Sequence, residues 1–173
     1  MSTIHACALP DAALLVRYRD AGAYTDCYAI ELAGAFSHAE YVEAFYTTAL
    51  FKVERALLRS FAGKTSTDSE VRELATGRRD SFAAWMVEAR SVDQLLLSDF
   101  RAQTRSWLMT APGADASKHG TRLYFGSAVV PITDRKSGNS TMSFAFRALI
   151  GFHKLYSRGL LRAAASRLDS RRA

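Results

Sequence analysis

The chain has 173 residues, of which 49% are hydrophobic and 23% are charged, and its mean hydropathy is −0.07. This length suits one domain that buries about two-thirds of its surface, and the composition argues against both a disordered and a membrane-spanning chain. Residues 147–173 carry seven Arg or Lys residues and one Asp, and so account for the whole net charge of +6. This excess suits a solvated helix end, and it leaves open an attraction to nucleic acid, anionic lipid or an acidic protein.

Cysteine content and the first residues indicate the compartment. Cys7 and Cys27 are too few for a disulfide framework, and no metal-like spacing relates them to His5 or the other histidines. The start, MSTIHACALPDAALL, lacks the charged and apolar regions of a signal peptide, and no apolar run approaches ~18 residues. We therefore expect a cytoplasmic protein without a metal site or a transmembrane segment.

The first elements in chain order are a strand and two or three helices. After a lead-in segment, residues 1–20, the stretch YTDCYAIEL at 24–32 alternates as a strand, with Asp26, Tyr28, Ile30 and Leu32 on one side. Ser37 and Glu40 form the pattern of a capping box that opens a helix. Helical spacing then runs from Tyr41 to Phe61, as one long helix or two short ones, and a further short helix is predicted at 68–76.

A run of strands and a long helix follow. Residues 81–90, 94–101, 104–110 and 121–132 alternate as strands, and their short connections favour an antiparallel meander. Helical spacing returns over residues 141–169 and extends for about 40 Å at ~1.5 Å per residue. The apolar side of this helix carries Met142, Phe146, Leu149, Ile150, His153, Ser157, Leu160, Leu161, Ala164 and Leu168.

This order of elements predicts a segregated α+β fold in one domain spanning residues 1–173, because no linker divides the chain. A curved antiparallel sheet wrapped around the C-terminal helix would bury the apolar faces of both. The order resembles the helix-grip fold of the START-like and plant-allergen-like proteins, the polyketide cyclase and lipid-transfer superfamily. The stretches AYTDCYAIEL, SWLMTAPGADASKHGTRLYFGSAVVP and FRALIGFHKLYSRGLLRAA resemble bacterial members of unknown function.

The resemblance covers roughly residues 20–170, with five clear strands where the superfamily usually has seven. It implies a cavity between the sheet and the long helix, of the kind that binds lipids, hormones or polyketides, and in a minority of members catalyses cyclisation or hydrolysis. No catalytic motif of the superfamily is matched strongly enough here to imply a reaction. The resemblance therefore favours a binding protein, and it leaves an enzyme open.

Strand registers predict one mixed surface. If the first two turns of the meander centre near Val92 and Ala102, Trp85 faces Asp99, and Asp99 in turn faces Arg105. The same registers place Trp107 beside them, so two indoles and several aliphatic side chains surround one acid and one base. This is the composition of a mostly apolar pocket, although a surface ion pair between Asp99 and Arg105 remains the alternative.

His153 lies on the apolar side of the predicted C-terminal helix and should face the sheet. It is either a core residue with one satisfied hydrogen bond, or a general base or ligand contact with no partner apparent from spacing. Tyr124 could reach the same space, although an exposed strand tyrosine is the simpler interpretation. On the binding interpretation, the ligand-binding residues are Trp85, Asp99, Arg105, Trp107, Tyr124, Met142, Phe146 and His153.

The chemistry of several enzyme classes is disfavoured. There is no GxGxxG after a strand, no Walker-type GxxxxGK, no HExxH and no paired CxxC, and residues 124–128 lack the second glycine of a nucleophile elbow. We therefore expect no cofactor. Residues 126–128 are better explained as small residues where a bent strand lets a helix or ligand approach closely.

Three functions remain. The first is a carrier for a small hydrophobic or amphipathic molecule, held between the sheet and the C-terminal helix. The second is a cyclase-type or hydrolase-type enzyme using His153 with Asp99 or Tyr124. The third is an interaction module using the Arg-rich helix end; nucleic acid is disfavoured as its partner, because no aromatic residue follows Tyr156 among the arginines. A homodimer is also left open.

Overall fold

The computed structural model describes residues 3–53, 66–114, 119–130 and 144–171, the side chains of 144–152 excepted. Its strands are β1 His5–Ala6, β2 Tyr24–Ala33, β3 Ser81–Phe82, β4 Trp85–Arg90, β5 Gln94–Asp99, β6 Thr104–Pro112 and β7 Gly120–Val129. Its helices are α1 Val16–Asp20, α2 His38–Tyr46, α3 Asp68–Ala75 and α4 Phe144–Ser170. A further helical segment begins at residue 49 and is described to residue 53.

The α+β class predicted from the sequence is confirmed. The seven strands form one curved antiparallel sheet in the order β1-β2-β7-β6-β5-β4-β3, and the C-terminal helix α4 packs against it. The five expected strands become seven because β1 is a short addition at one edge and β3 is separate from β4. Within the described ranges, no helix is long and apolar enough to cross a bilayer.

Both predicted helix starts in the first half of the chain are formed by capping boxes. At α2 the Ser37 hydroxyl accepts from the Glu40 backbone N–H, and the Glu40 carboxylate accepts from the Ser37 N–H at 2.8 Å. Thr67 and Glu70 repeat this arrangement at α3. Because each box satisfies two otherwise unpaired backbone donors, these helices begin where the local sequence requires.

The apolar side of α4 is buried as predicted over its described part. Ser157, Leu160, Leu161, Ala164 and Leu168 are all buried, and the helix contacts α2, β2 and β7. We call the side of the sheet covered by α2 and α4 the helix face. Met142 lies outside the described residues, and so does the side chain of Phe146, so their predicted roles remain predictions.

The N-terminal segment covers the opposite side of the sheet, which we call the N-terminal face. Residues of this segment, including Leu9, Ala13 and Leu15, pack against Trp107 and other residues of the central strands. The buried Gln94 side chain holds the segment in place, since it accepts from the Leu14 backbone N–H and from the Trp107 indole, and donates to the Ala12 carbonyl. The expected lead-in is therefore part of the packed structure.

The strand predicted at 81–90 is wrong in one respect, because it is a hairpin. Phe82 pairs with Trp85 across a two-residue turn, and Ala83 in that turn has a φ of 52°. Alanine adopts this left-handed conformation only with strain, and hairpin turns usually place Gly, Asn or Asp there. The sequence Ala83-Ala84 therefore gave no signal that the chain reverses.

One of the two predicted registers is confirmed and the other is wrong. Trp85 pairs with Asp99 as expected. However, Arg105 pairs with Ser98 and Trp107 with Leu96, one residue away from the prediction. Because a shift of one residue moves every side chain to the other side of a strand, Arg105 and Trp107 lie on the N-terminal face rather than beside Asp99.

The shift arises in the loop between β5 and β6. The Asp99 carboxylate accepts from the backbone N–H groups of Gln103 and Thr104 at 2.7 and 3.0 Å. Ala102 has a φ of 55°, a left-handed conformation that the predicted turn did not include. Asp99 therefore stabilises a turn, and it is not the ion-pair partner of Arg105.

Candidate functional site

An apolar cavity of about 520 Å³ lies between the sheet and α4. This size falls within the roughly 300–1,000 Å³ of pockets that hold drug-sized ligands. Its lining combines aromatic and aliphatic side chains with a few hydroxyl groups and one imidazole. The described lining residues are Phe45, Leu50, Phe51, Val53, Trp85, Thr104, Arg105, Ser106, Phe125, Ser127, Ala128, Val129, His153, Tyr156, Ser157 and Leu160.

Three of the predicted site residues border this cavity: Trp85, Arg105 and His153. Trp107 and Tyr124 are not brought to it, since both are buried on the N-terminal face, with ring centroids 6.2 Å apart. Asp99 is on the helix face, but its carboxylate accepts hydrogen bonds from the backbone of the β5–β6 loop. The structure therefore does not join His153 to either acid–base partner expected from the sequence.

A polar cluster at one wall of the cavity consists of Asp26, Ser127, His153 and Ser157. Asp26 in β2 is the direct cross-strand partner of Ser127 in β7, and both face the helix. His153 and Ser157 are four residues apart on α4 and therefore lie on the same side of it. Two central strands and the long helix thus place these four side chains together.

The hydrogen bonds of this polar cluster are centred on Ser127. Its hydroxyl donates to Asp26 Oδ1 at 2.6 Å, and its backbone N–H donates to the same oxygen at 3.1 Å. His153 Nε2 lies 2.7 Å from Ser127 Oγ, 3.5 Å from Ser157 Oγ and 3.6 Å from Asp26 Oδ2. Because the Ser127 proton is directed at the carboxylate, the imidazole must be the donor to Ser127 Oγ.

This geometry differs from that of a hydrolytic triad. In a triad the histidine bridges the acid and the serine and takes the serine proton. Here the serine bridges the acid and the histidine, and its proton already points to Asp26. The arrangement is therefore suited to hold a polar group by hydrogen bonding, and it does not activate Ser127 as a nucleophile.

Two buried polar atoms on this side of the sheet have no hydrogen-bond partner among the described residues. They are Asp26 Oδ2 and Trp85 Nε1. An unsatisfied buried acceptor or donor costs on the order of 1–3 kcal/mol, more when it is charged, so native structures contain few of them. One of these atoms belongs to the polar cluster and the other to a residue of the cavity lining.

The negative charge of Asp26 influences the tyrosines of its strand. Burial, followed by the proximity of Asp26, raises the pKa of Tyr28 to about 12. The same two causes raise the pKa of Tyr24 above its ordinary value. Both phenols therefore remain protonated at neutral pH, and Asp26 is the acidic group of this region.

Arg105 borders the cavity, but its charge is engaged on the N-terminal face. Its guanidinium lies 2.5 Å from Glu88 Oε2, and its Nε donates to the Tyr18 hydroxyl at 2.7 Å. Glu88 occupies an irregularity in the β4–β5 pairing between Val87 and Ala89, where a bulge redirects side chains. Arg105 thus secures α1 to the sheet.

The sequence did contain a partial signal for the polar cluster. Asp26 shares its side of β2 with Tyr28, Ile30 and Leu32, which are all buried, and a charged residue on such a side is unusual. Ser157 interrupts the apolar side of α4 in the same way. Ser127 gave no signal beyond its small size, because its partners lie 101 and 26 residues away along the chain.

Gly126 allows a close approach, as predicted, but neither a helix nor a ligand is the approaching group. A Cβ at this position would lie 2.9 Å from Trp107 Cε3, 2.9 Å from the Asp26 carbonyl oxygen and 3.1 Å from a Leu15 methyl group. The small residue is thus required by the packing of the N-terminal face. On the other side of β7, His153 approaches Ser127.

Two basic residues, one in the second half of α4 and one directly after it, contact other described parts of the chain. Arg158 donates to the Ile4 carbonyl at 3.4 Å, and Arg171 pairs with Glu43 at 3.1 Å. These contacts secure the helix to the residue before β1 and to α2. An interaction through the remaining arginines stays a prediction.

No protein-family model, curated protein or solved structure matches this chain. Within the described ranges, no group of three or more His, Cys, Asp and Glu side chains is arranged to hold a metal ion. The fold and the cavity with its polar cluster are therefore the features from which a function is inferred.

Proposed function

We propose that this protein binds a small hydrophobic or amphipathic molecule in the cavity between the sheet and α4, as a domain of the START-like, helix-grip type. The observation that carries the proposal is the apolar cavity of about 520 Å³ with hydroxyl groups and an imidazole at one wall. A mostly apolar pocket with a few convergent polar groups is the usual form of a small-molecule site.

Packing supports the same conclusion. Protein interiors are close-packed, and atoms that line an unfilled space lose their dispersion contacts. Here the space is bordered by large side chains, including Phe45, Phe125 and Leu160, which a bound apolar molecule would contact. Leu50 and Val53 at the lining are exposed large hydrophobic residues, and they provide an apolar route of entry.

The proposal is tested with a neutral fluorescent probe, N-phenyl-1-naphthylamine, and by native mass spectrometry of the freshly purified protein. We expect saturable probe binding, and Leu160→Trp should weaken it at least about tenfold because the indole occupies the cavity. Leu155→Trp is the matched control, since Leu155 lies on the same helix but is 72% exposed. Absence of probe binding, or equal binding by wild type and Leu160→Trp, would contradict the proposal.

A further inference from the structure

We propose that the molecule held in this cavity carries a neutral or cationic hydrogen-bond donor, such as a hydroxyl group or an amine, at the end that meets His153. Anionic amphiphiles such as fatty acids are rejected. This inference rests on the proposed binding function and adds the chemical class of the ligand to it.

The charge balance of the polar cluster is the first support. Asp26 is a buried carboxylate with a side-chain exposure of 8%, and its Oδ2 has no hydrogen-bond partner within the described parts of the chain. The cationic side chain of the described lining, Arg105, is paired with Glu88 on the N-terminal face. An incoming carboxylate would therefore meet the negative charge of Asp26 while the guanidinium of the lining is already paired, and low-dielectric surroundings strengthen that repulsion.

The direction of the hydrogen bonds is the second support. Ser127 donates to Asp26, so His153 donates to Ser127 through Nε2. In the neutral imidazole the other ring nitrogen, Nδ1, is then an acceptor. The His153 side chain is 35% exposed and borders the cavity, so an acceptor is available to a donor group of the ligand.

The unpartnered atom of Asp26 is the third support. A donor on the ligand that is bonded to His153, or that reaches the cluster beside it, lowers the energy of a desolvated carboxylate, whereas an acceptor raises it. Trp85 Nε1 is a buried donor without a described partner on the same side of the sheet. Because β4 lies four strands from β2 in the sheet, this donor is at a different part of the cavity lining from the polar cluster that contains Asp26.

The experiment compares three ligands whose carbon chains have the same length: decanol, decylamine and decanoate. Each is measured at neutral pH by displacement of N-phenyl-1-naphthylamine. We expect decanol and decylamine to displace the probe at concentrations about tenfold lower than decanoate, because a single unfavourable charge interaction of this kind changes affinity by about that factor. If decanoate binds as tightly as decanol or more tightly, the inference is wrong. The proposed function is still supported in that case, provided that the probe binds. If the probe itself does not bind, the proposed function has failed.

A charge-removing variant tests the cause of the selectivity. Asp26→Asn keeps an oxygen that can accept from Ser127, and we expect it to reduce the difference between decanol and decanoate to less than about threefold. Asp20→Asn is the matched control, because Asp20 is exposed and paired with Arg19, and it should leave the selectivity unchanged. His153→Phe, at a partly exposed position, is the second variant: it should weaken decanol while decanoate stays excluded. Unchanged selectivity in folded Asp26→Asn assigns the rejection of acids to another group and overturns the argument.

Discussion

The two faces of the sheet differ in how completely they are filled. On the N-terminal face, Trp107 is fully buried and its indole is hydrogen-bonded to Gln94. The backbone of the N-terminal segment that covers this face is hydrogen-bonded to the same glutamine. On the helix face, Trp85 is partly exposed beside a cavity of about 520 Å³, and its indole N–H has no partner among the residues that the structure describes. One face is thus built for stability, and the other retains space and unsatisfied polar atoms that a ligand can use.

Replacing each tryptophan by alanine should separate the two faces most clearly. Trp107→Ala removes a fully buried indole and should lower the free energy of unfolding by about 4 kcal/mol. Trp85→Ala removes a side chain that already borders empty space, and we expect a loss of about 1 kcal/mol together with altered probe binding. Urea denaturation of both variants provides the comparison, and equal losses would mean that the two faces are equally well packed.

The buried ion pair of the N-terminal face provides the next largest difference. Glu88→Gln removes the partner of Arg105, whose side chain is almost completely buried, and should destabilise the fold by about 3 kcal/mol because an uncompensated charge remains. Glu31→Gln breaks the more exposed pair with Arg122 and should change stability by less than about 1 kcal/mol. Thermal unfolding at matched ionic strength compares the two variants. If Glu88→Gln did not lower the stability, this would show that water reaches Arg105.

Two glycine-to-alanine changes should have opposite signs. At Gly126 the new methyl group would meet Trp107 and a backbone oxygen, so we expect a loss of about 2 kcal/mol. At Gly159 in α4 the nearest atom is the flexible end of Leu50 at 3.3 Å, and the helix gains up to about 1 kcal/mol from alanine. Chemical denaturation measures both, and a tolerated Gly126→Ala would show that the N-terminal face is more adaptable than its contacts indicate.

The smallest effect concerns reactivity rather than stability. Cys7 and Cys27 are free, with sulfur atoms 3.5 Å apart where β1 meets β2. A hydrogen bond from the Cys27 thiol lowers the pKa of Cys7 to about 7. The same hydrogen bond, followed by burial, raises the pKa of Cys27. Because the thiolate is the reactive form, iodoacetamide should label Cys7 with a rate that rises with pH and is half-maximal near pH 7, while Cys27 stays unlabelled.

In that labelling experiment Cys27→Ser is the informative variant. A serine at this position keeps a hydrogen-bond donor, and the pH at half-maximal rate should stay close to that of the wild type. Cys27→Ala removes the donor, and the half-maximal rate should move to higher pH. Peptide mapping by mass spectrometry identifies the labelled residue, and a midpoint near the ordinary thiol value in the wild type would contradict the assigned hydrogen bond.

The parts of the fold that the sequence predicted correctly depend on local rules. Alternation placed Tyr28, Ile30 and Leu32 on one side of β2, and the pattern Ser37 to Glu40 fixed the start of α2. Each of these features is decided by residues within a few positions of one another. For the same reason, the inner side of α4 could be predicted before its partners were known.

The errors arose at two turns that contain alanine in a left-handed conformation. Ala83 reverses the chain between β3 and β4, and Ala102 adds the residue that shifts β6 against β5. Neither position carries the Gly, Asn or Asp that normally indicates a positive φ. Since the side-chain period of a strand is two, the second error moved Arg105 and Trp107 to the wrong face.

The polar cluster could not be predicted because it depends on long-range pairing. Asp26 and Ser127 meet only because β2 lies beside β7, and their hydrogen bond joins residues 101 positions apart. His153 was recognised from its position on the helix, but no spacing along the chain identified its partners. The chemistry of this site is therefore a property of the sheet order.

That sheet order also sets when the structure can form during synthesis. β2 is made early, yet its long partner β7 follows only after the rest of the meander. At roughly 5–20 residues per second, β2 waits on the order of ten seconds for that partner. During this interval the edge of β2 that pairs with β7 has no partner and its apolar side still awaits α4. Long-range pairing of this kind is slow once it becomes possible. The nascent chain is thus most vulnerable to aggregation before residues 120–129 have emerged, and a chaperone that shields a single apolar strand would act in that window.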